Sequence, residues 1–171
     1  DNSHSKVGFS VKHMMISDTE GKFKLYEGTV SSTSDADFAN AKINFTIDIN
    51  SIDTDDENRD KHLKGDDFFN TEKFPKATFK GASMKKGKEV NTYELTGDLT
   101  IRDVTKKVTL QVIHIGKNVK DPYGNIRTGF VVYGSINRMD YNLKWNAALE
   151  AGGVAVDETV KLNVILELIK A

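Results

Sequence analysis

Apolar and polar residues alternate with a period of two along most of this chain, a pattern typical of β-strands with one buried face. The clearest example covers residues 43–50, in which isoleucine or phenylalanine at odd positions faces asparagine, threonine or aspartate at even ones. The alternation predicts eight strands, which begin near Val7, Gly21, Ile43, Ala77, Tyr93, Val108, Phe130 and Val160.

Residues 54–79 interrupt the alternation and predict a short helical insert between the third and fourth strands. Thr54 and Glu57 have the spacing of a capping box, which predicts that the helix begins at Thr54. Gly65 is a candidate left-handed C-terminal stop for this helix. Phenylalanines follow at Phe68, Phe69, Phe74 and Phe79. The insert fits two readings, a lid over an apolar space or a crossover that plugs the bottom of a core.

Eight amphipathic strands with hairpin-length links favour an all-β fold, an extended eight-stranded antiparallel sheet that closes into a barrel. Closure removes the exposed edges that such long strands otherwise present. A two-sheet sandwich fits the same periodicity and stays open as an alternative. Late in the chain, residues 147–150 are predicted to form a helical turn that Asn146 caps and Gly152 ends. The length favours one domain, residues 1–171.

Composition narrows the function classes. With 38% hydrophobic and 29% charged residues and a net charge of −1, the chain gives no electrostatic reason to expect nucleic acid or an anionic membrane surface as a partner. Its longest apolar run is too short to span a bilayer, so we expect no stable membrane insertion. The absence of cysteine excludes a disulfide framework, a thiolate metal site and a cysteine nucleophile. The first residue is Asp1 rather than methionine, which is compatible with a removed export signal.

Small residues fall on the inner parity of several strands, at Ala77, Gly81, Gly97 and Gly134. A barrel of about eight strands is either filled by its side chains or wide enough for one small ligand. Inward glycines favour a cavity, whereas the alternative is that they relieve strain at barrel corners. A cavity with this lining would suit an elongated apolar guest, which gains about 0.8 kcal/mol for each buried methylene.

Candidate chemistry is sparse. His62 and Asp66 lie about one helical turn apart, but no third metal ligand accompanies them, so we predict a solvated helix face and no metal site. The chain has no nucleophile elbow, phosphate-binding glycine loop or dinucleotide fingerprint, so we predict that it is not an enzyme and needs no cofactor. Two alternatives stay open: a lipid-modifying hydrolase that uses His62 with Asp60 or Asp66, and a solid-cored stress-response module that binds a protein partner.

Four segments resemble the YceI-like family, in the order of that family: HSKVGFSVKH, RDKHLKGDDFFNTEKFPKATF, LTIRDVTKKVTL and INRMDYNL. Asp103 stands where the family usually has glycine, in a turn that aspartate tolerates. The residues that match the family motifs are His4, Ser5, Phe9, Arg59, Asp60, His62, Leu63, Phe68, Phe69, Phe74 and Pro75. An ion pair between Arg59 and Asp60 that anchors the insert is our preferred interpretation of that part of the motif.

The resemblance implies a lipocalin-like barrel, a periplasmic location and non-enzymatic binding of a long-chain amphiphile. Such a ligand is a polyisoprenoid, an isoprenoid quinone or its precursor, or a fatty-acid-like lipid, carried or stored in the barrel; a homodimer is compatible with the sequence. We expect the tail to lie inside the barrel and the head near one mouth. The predicted ligand-binding residues are Phe9, Val11, His13, Met14, Phe23, Phe45, Ile47, Arg59, His62, Phe68, Phe69, Phe79, Leu95, Leu99, Leu110, Val132, Leu162 and Val164.

Overall fold

The computed structural model describes residues 1–171 and is dominated by antiparallel β-structure. Its strands are β1 (Lys6–His13), β2 (Ser17–Phe23), β3 (Tyr26–Ser31), β4 (Lys42–Asp48), β5 (Ile52–Asp53), β6 (Lys76–Lys86), β7 (Thr92–Ile101), β8 (Val104–Lys120), β9 (Ile126–Asn137) and β10 (Val156–Ile169). The α-helix, α1, is Glu57–Lys64, and single 3-10 turns cover Asn2–His4, Ile49–Ser51 and Arg138–Tyr141. No helix has the length and apolar character that crossing a bilayer requires.

All ten strands belong to one strongly curled sheet with the order β3-β4-β6-β7-β8-β9-β10-β1-β2-β5. The strands at or near its two ends, β2 and β3, are separated only by Lys24 and Leu25. One bent segment therefore pairs with β1 before the bend and with β4 after it, so that the sheet curls round to meet itself. The predicted antiparallel barrel is confirmed, and the two-sheet sandwich is wrong.

The predicted second strand is in fact two strands, because the chain bends at Lys24 and Leu25. The hydroxyl of Ser51 accepts hydrogen bonds from both backbone N–H groups of the bend, at 3.1 and 2.9 Å. The two-residue strand β5 then pairs with the end of β2. Contacts with a distant part of the chain produce this division, so the local alternation gave no sign of it.

The helix α1 begins two residues later than predicted. Asp56, not Thr54, caps it, by accepting a hydrogen bond from the backbone N–H of Arg59. Thr54 is instead 4% exposed, and both its backbone N–H and its hydroxyl donate to the carboxylate of Asp60. Gly65 ends the helix in an extended conformation, with φ −72°, so the predicted left-handed stop is also wrong.

Residues 147–150 form no helical turn. Ala148 and Val154 instead make an isolated antiparallel bridge, and the backbone N–H of Leu149 donates to the carbonyl of Gly153. Asn146 does not cap a helix; its side chain bonds both backbone polar groups of Val156, which fixes the loop against the start of β10.

Two buried clusters lie at opposite ends of the barrel. The far-end cluster consists of Phe38, Ala41, Met84, Tyr93, Leu95, Val112 and Phe130. The helix-end cluster consists of Ile49, Phe68, Ala77, Ile101, Tyr141 and Leu143. Since β4, β7 and β9 end on the same side as β6 and β10 begin, residues 54–75 and 138–155 lie at this second end.

Candidate ligand-binding cavity

A cavity of about 590 Å³ runs between the two clusters, within the barrel. Of the 35 residues that line it, 26 are hydrophobic. The strict alternation of the strands explains this lining, because every second side chain of a strand points to the same face. The volume lies within the range of about 300–1,000 Å³ that is usual for small-molecule sites.

Glycines shape the cavity in a different way from the one predicted. A Cβ atom on Gly97 would lie 2.4 Å from the ring tip of Phe79, and one on Gly134 would lie 2.7 Å from Leu110. Gly21 has the same relation to Phe9, at 2.3 Å. Large side chains therefore lie flat along the wall over these glycines, which leave no pockets of their own. Each of these three side chains lies over the glycine of a neighbouring strand.

The far end is closed by the loop between β3 and β4, which the sequence did not identify as a plug. Phe38 in this loop packs edge-to-face on His114 and on Phe130, with ring centroids 5.0 and 4.8 Å apart. The imidazole Nε2 of His114 is 2.7 Å from the hydroxyl of Thr128. Burial among these rings lowers the pKa of His114 below its ordinary 6.5. A neutral histidine thus forms part of the seal.

The helix end is polar and open. Eight of the lining residues have polar or charged side chains, and all belong to this end: His13, Thr19, Thr54, Asp56, Asn58, Arg59, His62 and Arg138. Five of them, His13, Asp56, Asn58, Arg59 and His62, are exposed to solvent. The cavity therefore has an apolar interior and one amphipathic mouth, formed by α1, the end of β1 and the loop after β9.

Arg59 and Asp60 do not form the ion pair that the motif led us to prefer. Both bind Thr54 instead: Arg59 donates from Nε to the hydroxyl, at 2.8 Å, and from Nη2 to the backbone carbonyl, at 2.6 Å. The hydroxyl donates in turn to Asp60, at 2.6 Å. Because Thr54 is buried, the two charged side chains tie α1 to the strand segment that precedes it. The motif therefore stabilises the insert, through a threonine rather than through a direct pair.

His62 lies between two aromatic rings at the mouth. Its ring makes edge-to-face contacts with Phe68 and with Trp145, both at 5.1 Å between centroids. Its Nε2 is 2.8 Å from a carboxylate oxygen of Asp67. The partners predicted for a hydrolase, Asp60 and Asp66, do not contact it; Asp66 bonds Asn70 and Arg102.

Arg138 is the most deeply buried charged residue of the lining, at 4% exposure. Its guanidinium donates only to backbone carbonyls, those of Asp157 at 2.8 Å, Leu143 at 2.5 Å, Trp145 at 2.9 Å and Val156 at 3.1 Å. No carboxylate lies within ion-pair distance, and burial lowers the pKa of this group. The side chain thus holds the loop after β9 against the start of β10 and places a positive charge beside the cavity, which the more distant carboxylates of Glu158 and Asp157 offset only in part.

All the predicted ligand-binding residues except Met14 line the cavity. Met14 lies in the turn after β1 with φ 48°, where the chain has left the strand geometry, and the residue is 44% exposed. The insert forms one side of the mouth with α1 and contributes Phe68 to the helix-end cluster, so it combines features of the lid and the plug. Phe74 lies outside the cavity, beneath the guanidinium of Arg102.

Three functional features escaped the sequence reasoning: Arg138, Trp145 and the polar group of Thr54, Asp56 and Asn58. Arg138 lies in the INRMDYNL segment, which marks its family but does not signal burial. Trp145 is the only tryptophan in the chain and lies in a segment without regular structure. That it is the only tryptophan was the one sign of its importance in the sequence, and its fluorescence can be used to follow changes at the cavity wall.

Comparison with known proteins agrees with this architecture. The YceI-like domain matches residues 1–168. A UPF0312 protein of Staphylococcus aureus (strain N315) is 38% identical over 167 residues, which cover 98% of this chain and 94% of the relative. The crystal structure of Burkholderia cenocepacia BcnA is 27% identical, covers 98% of both chains and has a TM-score of 0.84. A polyisoprenoid binding domain from Saccharophagus degradans, implicated in plant cell wall breakdown, shares the fold at 18% identity, with 98% and 94% coverage and a TM-score of 0.66.

Proposed function

The chain belongs to the YceI-like family, and on that premise we propose that it is a non-enzymatic carrier that holds a long-chain amphiphile inside the barrel. The ligand class is a polyisoprenoid, an isoprenoid quinone or its precursor, or a fatty-acid-like lipid. The observation that carries the proposal is the cavity of about 590 Å³ inside the barrel, apolar along the barrel and polar only at the mouth.

The energetics favour a hydrocarbon tail. A tail that buries about ten methylenes in such a lining gains about 8 kcal/mol of transfer free energy. This gain offsets much of the cost of association, which is about 4–15 kcal/mol. Affinity therefore rises with tail length until the cavity is full, whereas a short polar solute gains too little to stay bound.

The fold has a relevant precedent. The Saccharophagus degradans domain is a polyisoprenoid binding domain built on the same barrel, although its low identity makes it a guide to fold alone.

Transport or storage of the ligand and a periplasmic location are further parts of our proposal. Fractionation of cells that express the whole gene tests the location separately from binding.

A pair of substitutions on neighbouring residues tests whether the ligand occupies the cavity. Val132 lines the cavity and Val131 does not, because Val131 is the preceding residue of β9 and neighbouring residues of a strand point to opposite faces. We expect Val132→Trp to fill the space and weaken binding of oleic acid at least tenfold, while Val131→Trp leaves binding unchanged. Titration followed by the fluorescence of an added apolar dye, displaced by oleic acid, measures both. Equal binding by both variants, with circular dichroism unchanged, would contradict an internal site.

The two other function hypotheses receive less support. A solid-cored module is wrong, because the interior contains the cavity. The hydrolase reading required His62 to be paired with Asp60 or Asp66, and His62 is bonded to Asp67 instead. No observation therefore favours a second candidate function.

A further inference from the structure

The mouth of the cavity contains more positive than negative charge. Three charged side chains line the cavity, those of Asp56, Arg59 and Arg138, and the arginines outnumber the carboxylate. The neighbouring acidic groups are already bonded within the protein, Asp60 to Thr54 and Asp67 to His62. A polar head group at the mouth therefore meets two guanidinium groups and one carboxylate, that of Asp56, whose Oδ1 already accepts from the backbone N–H of Arg59.

Arg59 has unused hydrogen-bonding capacity. Two of its N–H groups, on Nε and Nη2, are bonded to Thr54. Its Nη1 makes no hydrogen bond within the protein, and the nearest carboxylate oxygen, Asp56 Oδ2, lies 3.9 Å away. A guanidinium presents five donors in a fixed fork, so three N–H groups remain for a ligand. Because Thr54 is buried and held by Asp60, the fork is fixed before any ligand arrives.

Arg138 contributes positive charge near the mouth, but fewer of its N–H groups than of those of Arg59 remain free for a ligand. Four of its N–H groups are bonded to backbone carbonyls, which carry only partial charge. The contacts connect it to the mouth, since it bonds the carbonyl of Trp145 and the ring of Trp145 packs on His62. His62 is one helical turn after Arg59 on α1. Electrostatic attraction in a partly desolvated site is stronger than in water, so this charge favours an electron-rich head.

From this geometry we propose that the mouth selects amphiphiles whose head carries a hydrogen-bond-accepting oxygen, a carbonyl or a carboxylate, and that Arg59 is the residue that binds it. The inference rests on the proposed function and specifies its ligand. A head that only donates hydrogen bonds, such as a primary ammonium, leaves the fork of Arg59 without a partner and faces the charge of Arg138. The structure thus assigns selectivity to the mouth and affinity to the apolar barrel.

Three ligands with the same tail separate these contributions: oleic acid, methyl oleate and oleylamine. We expect the wild-type protein to bind oleic acid and methyl oleate at least tenfold more tightly than oleylamine, as measured by displacement of an apolar dye. A charge-assisted hydrogen bond has about this effect on an equilibrium constant. If only oleic acid binds tightly, the site selects carboxylates. If oleic acid and methyl oleate both bind tightly, the site accepts carbonyl oxygens in general. Either result supports an accepting head.

Arg59→Ala should remove the preference, with about a tenfold loss for the two accepting heads and little change for oleylamine. Arg59→Gln, which keeps an amide donor, should retain part of it. Lys61→Ala is the matched control, because it removes a positive charge from an exposed position of the same helix outside the cavity. Circular dichroism establishes that each variant is folded.

The outcomes distinguish the two proposals. If none of the three ligands binds the wild-type protein, the proposed carrier function fails and this inference falls with it. If all three bind equally, or if Arg59→Ala and Lys61→Ala have the same effect, the carrier survives and head-group selection by Arg59 is wrong. Tighter binding of oleylamine than of oleic acid would also overturn the inference.

Discussion

Replacement of Arg138 by methionine should destabilise the protein more than any other single change at the mouth. The carbonyls of Leu143 and Trp145 lie outside regular structure and receive hydrogen bonds only from this guanidinium. The carbonyl of Val156 keeps a second donor, the amide of Asn146, at 2.8 Å. Arg138→Met therefore leaves at least two carbonyls unpaired in a poorly hydrated place.

The magnitude follows from those two groups. A buried carbonyl without a partner costs about 1–3 kcal/mol, so we expect a loss of about 3 kcal/mol in the free energy of unfolding. The methionine side chain restores part of the aliphatic packing of the arginine, so we expect the loss to stay below the upper limit for two unpaired carbonyls. For a chain of this size the change corresponds to a fall in Tm of about 6–12 °C. Arg138→Lys should lose less, because one ammonium reaches only some of the four carbonyls.

Urea denaturation followed by the fluorescence of Trp145 measures this effect, since the single tryptophan lies in the loop that Arg138 holds. Lys107→Met is the control, because the exposed pair that Lys107 forms with Asp98 at 3.2 Å contributes at most about 1 kcal/mol. A loss below about 1 kcal/mol for Arg138→Met, or equal losses for the two variants, would show that the four bonds do not organise the mouth.

Three further outcomes test the wall, the seal and the insert. Gly97→Ala places a Cβ 2.4 Å from a phenyl carbon and 2.5 Å from a backbone carbonyl oxygen and should cost about 1–3 kcal/mol in thermal melts, whereas Gly129→Ala, with 3.6 Å to its nearest neighbour, should cost less than 1 kcal/mol. Because burial lowers the pKa of His114 below 6.5, the unfolded chain takes up a proton first, and the free energy of unfolding falls as the pH drops below 6.5. His114→Gln should flatten that decline. Equal declines of the unfolding free energy with pH in the wild-type protein and the variant would refute it. Asp60→Ala removes the acceptor of two Thr54 hydrogen bonds and should cost about 2 kcal/mol in urea denaturation, while an unchanged midpoint would contradict that anchor.

The lining of the cavity could be predicted because it depends on local geometry. In a strand, the position of one inward residue determines the direction of every second neighbour, so Leu95, Leu99 and Leu110 followed from alternation alone. The prediction that Met14 binds the ligand depended on the same alternation, which ends where the strand enters a turn. Where the period holds, the sequence is a sufficient guide to which side chains face the cavity.

Features that depend on distant contacts could not be predicted. Thr54 and Asp56 are both acceptable helix caps, and the choice between them depends on Asp60 binding Thr54. Arg138 looks like a surface residue at the end of a strand until a later loop folds over it. Phe38 lies in a loop without periodicity, yet its contact with His114 closes the far end.

Native mass spectrometry of the protein, purified without refolding, measures whether the barrel holds a ligand. We expect a population whose mass exceeds that of the chain by one long-chain amphiphile, or uptake of one molecule of oleic acid by the empty protein. The same measurement on Val132→Trp should show the chain alone. A wild-type protein that carries no ligand and takes up none, or a Val132→Trp protein that still holds one, would contradict the account of a ligand-bearing cavity.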